Sequence, residues 1–197
     1  MSREKKIDDV STVVDAALEI IEECGYSKLS TRNISAKLKV SPMTLYNYYE
    51  NRNAILKDVV NKGFDELWIG LREKLESHGA ASNPLSEYLI LADHMLDFGM
   101  ARPNLYRFLF RSAITPLIAD KNIADRFRDI GNLLIPRVND ESKRQDVFND
   151  IYMFLVLMNS LVNNVLDSRI EMTVERYRTL IRRSYDSLLL RDEQYIR

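Results

Sequence analysis

LSTRNISAKLKVSPMTLYNYYENRNAIL, residues Leu29–Leu56, holds two short helix signatures around a tight turn. Ser30 or Thr31 opens the first, because either hydroxyl can accept from the free N–H groups of a first helical turn. Ile34 and Leu38 lie four apart and form its apolar face. The chain turns at Lys39-Val40. Ser41 then supplies a second cap and Pro42 a residue already set for the first helical position, so a second helix runs through Met43, Thr44, Leu45, Tyr46 and Asn47 with Leu45 inward. Two helices joined by so short a turn predict a helix-turn-helix, whose second helix enters the major groove of DNA.

Working outward, Ala16, Ala17, Gly25-Tyr26, Ser30-Thr31, Ile34, Ala36, Val40-Ser41, Thr44-Leu45-Tyr46, Tyr48-Tyr49, Asn51 and Leu56 recur at the spacing of one family. From Val10 to about Val60 the chain resembles the head of a TetR-type (tetracycline-repressor family) transcriptional regulator, in which a small-residue helix and a Gly-aromatic step precede a Thr-Leu-Tyr recognition helix. Two positions depart. Lys39 stands where the family usually has Gly, so a left-handed backbone there would cost about 1–2 kcal/mol. Arg52 replaces a usual Lys and keeps its charge.

Chemistry assigns the roles in the head, and the resemblance adds to them. Arg32 has the reach for a bidentate contact with guanine, and Thr44 can meet a thymine methyl or a base edge. Met43, Asn47 and Tyr48 match positions that approach bases in the family, with Met43 as plain surface the competing reading. Pro42 offers only apolar contact. Thr31, Tyr46, Asn51 and Arg52 carry donors suited to phosphate oxygens, which set register without reading sequence. Ser30 and Ser41 read as caps and Tyr49 as a core aromatic.

Net charge is −1 over 197 residues, which by itself does not point to nucleic acid. The distribution does: Lys28, Arg32, Lys37, Lys39, Arg52 and Lys57 face a single anion, Glu50, between residues 28 and 57. The preceding helix is acidic, with Asp8, Asp9, Asp15, Glu19, Glu22 and Glu23. It is expected behind the DNA-contacting pair, with Val10, Val13, Val14, Ala17, Leu18 and Ile21 as its buried stripe.

The rest reads as successive helices, giving an all-α chain of about nine, with a DNA-binding domain over residues 1–50 and a ligand-sensing and dimerisation domain over 51–197. Asn51 caps a long helix with the stripe Ile55, Leu56, Val59, Val60, Phe64, Leu67, Trp68, Leu71 and Leu75. Others are expected from Asn83-Pro84 to Arg102, from Pro103 to Ser112, from Asp120 to Leu134, from Asp140 to Leu166 and from Thr173 onward. The last two carry the candidate dimer seam, Leu161, Val162, Val165, Leu180, Ser184 and Leu188. For a ligand pocket the candidates are Trp68, Tyr88, Leu91, His94, Met95, Phe98, Tyr106, Phe110, Met153, Phe154, Met158 and Asn159, with core packing the competing reading for each. His94 and Asn159 are polar groups on apolar faces and need partners.

No apolar run approaches the ~20 residues of a membrane span, and MSREKKIDDV lacks a signal core, so a cytosolic protein is expected. Cys24, the one cysteine, excludes an internal disulfide and reads as ordinary packing. Without a Gly-rich phosphate loop, a nucleophile–base spacing or metal-ligand spacing around His78 and His94, the expectation is a non-enzyme without metal or cofactor. The sequence thus reads as a homodimeric repressor, released from a palindromic operator by a small-molecule effector. The alternatives are a helical carrier or enzyme with an incidental head, or a regulator that activates or senses no ligand.

Overall fold

In the computed structural model the described residues are 9–78, 84–112, 136, 138–168 and 172–196. They form eight α-helices: α1 (Ser11–Cys24), α2 (Thr31–Leu38), α3 (Pro42–Tyr46), α4 (Arg52–His78), α5 (Glu87–Ala101), α6 (Pro103–Arg107), α7 (Arg144–Asp167) and α8 (Val174–Ser184). The helix expected from Asp120 to Leu134 lies outside the described residues. None of the helices described is long and apolar enough to cross a membrane. The chain divides into two compact units, Met1–Leu67 with Arg102–Ile123, and Trp68–Ala101 with Ala124–Arg197.

In the first unit α1 packs against α2 and α6. Val13, Val14, Ala17, Leu18 and Ile21 are buried as expected and are joined by Ala16 and Ile20, whereas Val10 is 38% exposed because it precedes the first helical turn. Gly25, at φ 79°, ends α1 in a conformation that favours glycine. Cys24, expected to be packed, is exposed beside it. The unit reaches beyond residue 50. Ile55, Leu56, Val59, Val60 and Phe64 of α4 are buried, and Arg102, at the entry to α6, pairs with Glu22 of α1 and Glu66 of α4. Packing therefore groups half of α4 and all of α6 with the helix-turn-helix.

The second unit is built on α5, α7 and α8, which pack on one another. A 3₁₀ turn at Pro84–Ser86 precedes α5, and another at Glu141–Lys143, capped by the Asp140 carboxylate, precedes α7. Thr173 caps α8 by accepting from the Arg176 N–H at 3.1 Å. The expected long last helix is broken: past Ser184 it loosens into a π turn over Tyr185–Leu189 and tightens into a 3₁₀ turn over Leu190–Tyr195. Tyr177 is fully buried and donates its hydroxyl to the Ala92 carbonyl at 2.8 Å, which locks α8 to α5.

The turn between α2 and α3 is specified atom by atom. The Ser30 hydroxyl accepts from the Asn33 N–H at 3.1 Å and starts α2. At its end Lys39 adopts φ 57°, ψ 42°, while the Lys39 N–H donates to Ala36 and the Val40 N–H to Ser35. This is a Schellman closure, a geometry usually given to glycine. Ser41 follows at once and accepts from the Thr44 N–H at 3.2 Å, with Pro42 in the first turn of α3. Replacing Lys39 by Gly removes the left-handed penalty but loosens the unfolded chain, so Lys39→Gly should stabilise the protein by about 0.5–1 kcal/mol. Thermal unfolding checks this; a lower midpoint for the variant would contradict the strain.

Candidate nucleic-acid interface

With the turn closed, α3 presents Pro42, Met43, Tyr46 and Asn47 to solvent, Met43 at 69% and Tyr46 at 45% exposure. Arg32, near the start of α2, is exposed as well, and Thr31 and Tyr48 are half-buried. These side chains mix hydroxyl, amide, guanidinium and apolar groups, which can reach both phosphates and base edges. Leu45 and Ile34 are buried beneath them, and Tyr49 is 5% exposed, as a core aromatic should be. Burial, and then the charge of Asp58, hold the Tyr49 phenol above its ordinary range.

Four side chains of the head have partners within it. Thr44, expected to read bases, is buried, and its Oγ1 lies 2.9 Å from the Ser41 Oγ. Its hydroxyl completes the helix cap, whereas Arg32, Met43 and Asn47 are exposed. Asn51 uses its side-chain oxygen to accept from the Ala54 N–H at 3.0 Å and starts α4. Arg52 donates from Nη2 to the Leu29 carbonyl at 3.2 Å, tying α4 to the approach to α2; a guanidinium has further donors for a phosphate. Lys37 turns toward α1, 2.9 Å from Glu19 and 3.1 Å from Glu23, and those two carboxylates raise its ammonium pKa.

The acidic face of α1 is therefore a set of attachment points. Glu19 and Glu23 hold Lys37 of α2, Asp15 holds Lys62 of α4, and Glu22 holds Arg102, while the Asn104 amide of α6 donates to the Glu22 carbonyl at 2.8 Å. Composition alone could not show this, since each pair joins residues distant in sequence.

The expected pocket residues are shared between the two units. Tyr106 and Phe110 belong to the first unit, where their rings stack at 4.6 Å and Phe110 meets Phe64 edge-on at 5.8 Å. In the second unit Tyr88 and Phe154 pack edge-on at 6.1 Å, and Leu91, Met95 and Met158 are buried around α5 and α7. Trp68 and Phe98 are half-buried. The His94 ring lies 6.4 Å from Phe98 and so close to Gly70 that a Cβ there would stand 2.9 Å from Cε1. Asn159 meets the Asn163 amide one turn along α7, at 2.8 Å through its carbonyl and 3.2 Å through its side chain. A cavity of about 480 Å³ opens elsewhere, and of the expected residues it contains only Met153.

Two capped helices across a three-residue turn, carried on an acidic support helix, define a helix-turn-helix DNA-binding head. Residues 13–59 match the family described as bacterial regulatory proteins, tetR family. Over that segment, about a quarter of the chain, the head is similar to the family's DNA-binding domain. Over 94 residues it is 30% identical to an uncharacterised HTH-type transcriptional regulator, YobS, of Bacillus subtilis, a match covering 48% of this chain and 47% of that protein. Over 48 residues it is 40% identical to the class G tetracycline repressor protein of Vibrio anguillarum, covering 24% and 23%. The matches thus span about half or less of these curated relatives. A transcriptional regulator from Rhodococcus sp. RHA1 has the same fold, with a TM-score of 0.66 at 14% identity over 93% of this chain and 97% of that one.

Proposed function

We propose that this protein is a sequence-specific DNA-binding repressor that acts in the cytoplasm, binds a palindromic operator as a homodimer and is released by a small-molecule effector. The observation that carries the reading is the exposed set on α2 and α3, Arg32, Met43, Tyr46 and Asn47, held on a turn closed at both ends by caps. Nothing in this arrangement needs a bond made or broken. Members of such a family act by binding, and the head is built for contact alone.

A single short α3 reads too few bases for useful specificity, so two heads related by a two-fold axis are required. The outward side of α7 supports the pairing. Its inward residues Val147, Ile151, Phe154 and Met158 are buried, yet Tyr152, Met153, Val156 and Leu157 are 69%, 47%, 51% and 37% exposed. A helix apolar on both sides calls for a cover on each. A second copy supplies it symmetrically, face to face. Of the residues expected at the seam, Leu161 and Val162 are buried within their own chain, whereas Val165, Leu180, Ser184 and Leu188 are half-buried.

The effector reading rests on the aromatic and Met-rich inventory of the second unit, with half-buried Trp68 and Phe98 as its accessible members. An apolar or amphipathic molecule fits that chemistry.

Operator binding separates the cations. Arg32→Ala should cost about 1–3 kcal/mol and relax one base position, whereas Lys37→Ala, whose ammonium is held by α1, should leave affinity unchanged within a factor of about three. Fluorescence anisotropy at matched salt measures both, and unchanged binding by Arg32→Ala would remove it from the interface. For the dimer, Val156→Glu places a charge at the centre of the apolar face. It should give a folded monomer in sedimentation with operator affinity reduced at least tenfold; an intact dimer would exclude this face.

A further inference from the structure

Within the described residues, nothing in the fold calls for lysine at position 39. Its backbone closes α2 through the Lys39 N–H to the Ala36 carbonyl and the Val40 N–H to the Ser35 carbonyl. Glycine would form both bonds and adopt φ 57° without the Cβ clash, and asparagine is the usual second choice at such a closure. What lysine adds is therefore confined to its side chain. That side chain is exposed, and among the described residues its ammonium has neither a hydrogen-bond nor an ion-pair partner.

Other cations of the basic block are placed differently. Lys37, two residues earlier, stands 2.9 Å from Glu19 and 3.1 Å from Glu23 of α1, and Arg52 donates to the Leu29 carbonyl. Lys39 leaves from the turn itself, three residues ahead of Pro42 and next to the end of α3 that exposes Pro42 and Met43. In a helix-turn-helix the first residues of the second helix meet base edges, so a cation rooted just ahead of them has the sugar-phosphate strand bordering the groove within reach. The root is fixed as well. Its N–H and that of Val40 are bonded and Ser41 caps α3, so only the lysine torsions are left to order on contact.

A strained backbone position that the fold itself does not require points to function. We propose that Lys39 is a DNA-positioning residue: from its left-handed position the ammonium donates to one phosphate oxygen per head and fixes register without reading sequence. The assignment deepens the DNA-binding reading and rests on it. It also sets stability against affinity at one position, because the glycine that relaxes the turn removes the charge.

Fluorescence anisotropy of the full chain tests it, on the duplex that the wild type enriches from random DNA and on a scrambled duplex, from about 50 to about 200 mM salt. Lys39→Gly should unfold at a higher temperature yet bind both duplexes at least about threefold more weakly, with the slope of log K against log salt shallower by about 0.9 per head, the value for one phosphate contact. Lys39→Gln, which keeps the Cβ and loses the charge, should lose the same slope. Lys39→Arg should retain the wild-type slope, and so should Lys37→Gln, whose parent ammonium is held by α1. Unchanged affinity and slope in Lys39→Gly and Lys39→Gln, beside weakened binding by Arg32→Ala, would overturn this assignment and leave the repressor reading standing. So would a Lys39→Arg protein with the slope of Lys39→Gly, or a loss confined to one base position of the enriched duplex, which would make Lys39 a base reader. A wild-type chain that binds neither duplex would overturn the DNA-binding reading and this assignment with it.

Discussion

The angle between α2 and α3 depends on a left-handed lysine. Between Leu38 and Pro42 the chain has three residues in which to finish one helix and start another. Lys39 reverses the backbone, its N–H and that of Val40 satisfy the last carbonyls of α2, and Ser41 satisfies the first free N–H of α3. Each of these acts through backbone or short polar groups, so the turn is rigid without a large core of its own. A side chain other than glycine at the left-handed position is unfavourable. The surrounding hydrogen bonds and buried Ile34 and Leu45 offset that cost and hold the exposed set on α3 in place.

Around this turn, α1 does two jobs with its two faces. The apolar stripe from Val13 to Ile21 packs under α2, while the carboxylates reach outward to Lys37, Lys62 and Arg102. Exposed ion pairs contribute little stability individually, about 0–1 kcal/mol. Their effect here is directional, because they turn Lys37 toward α1 and attach α6 to the same helix that supports α2. The positive charge offered outward by the block is carried by Lys28, Arg32, Lys39 and Arg52, all exposed.

Much of the first unit was legible in the sequence because its signals are local. Ser30, Ser41-Pro42 and Asn51 mark helix starts through contacts three residues away, and a local contact leaves a local pattern. The left-handed Lys39 was legible only through the resemblance, as a departure from glycine. The partners of Thr44 and Lys37 were not legible, because residue type shows what a side chain can do, whereas its partner, Ser41 or the α1 carboxylates, is decided by packing. The same reason separates the pocket inventory, in which Tyr106 and Phe110 join the first unit and Tyr88 and Phe154 the second. The exposed Tyr152 and Val156 escaped notice because α7 is apolar on both sides, and periodicity cannot tell which side faces inward.

In the proposed function, two copies of this head read two turns of one DNA face. Selecting sites for the full chain from random duplexes, then footprinting the winners with hydroxyl radicals, tests it directly. The predicted result is an inverted repeat whose half-site centres lie about 34–36 Å apart or at a multiple of one turn, protected symmetrically. Enrichment of a lone half-site, or no enrichment above a scrambled duplex, would contradict it.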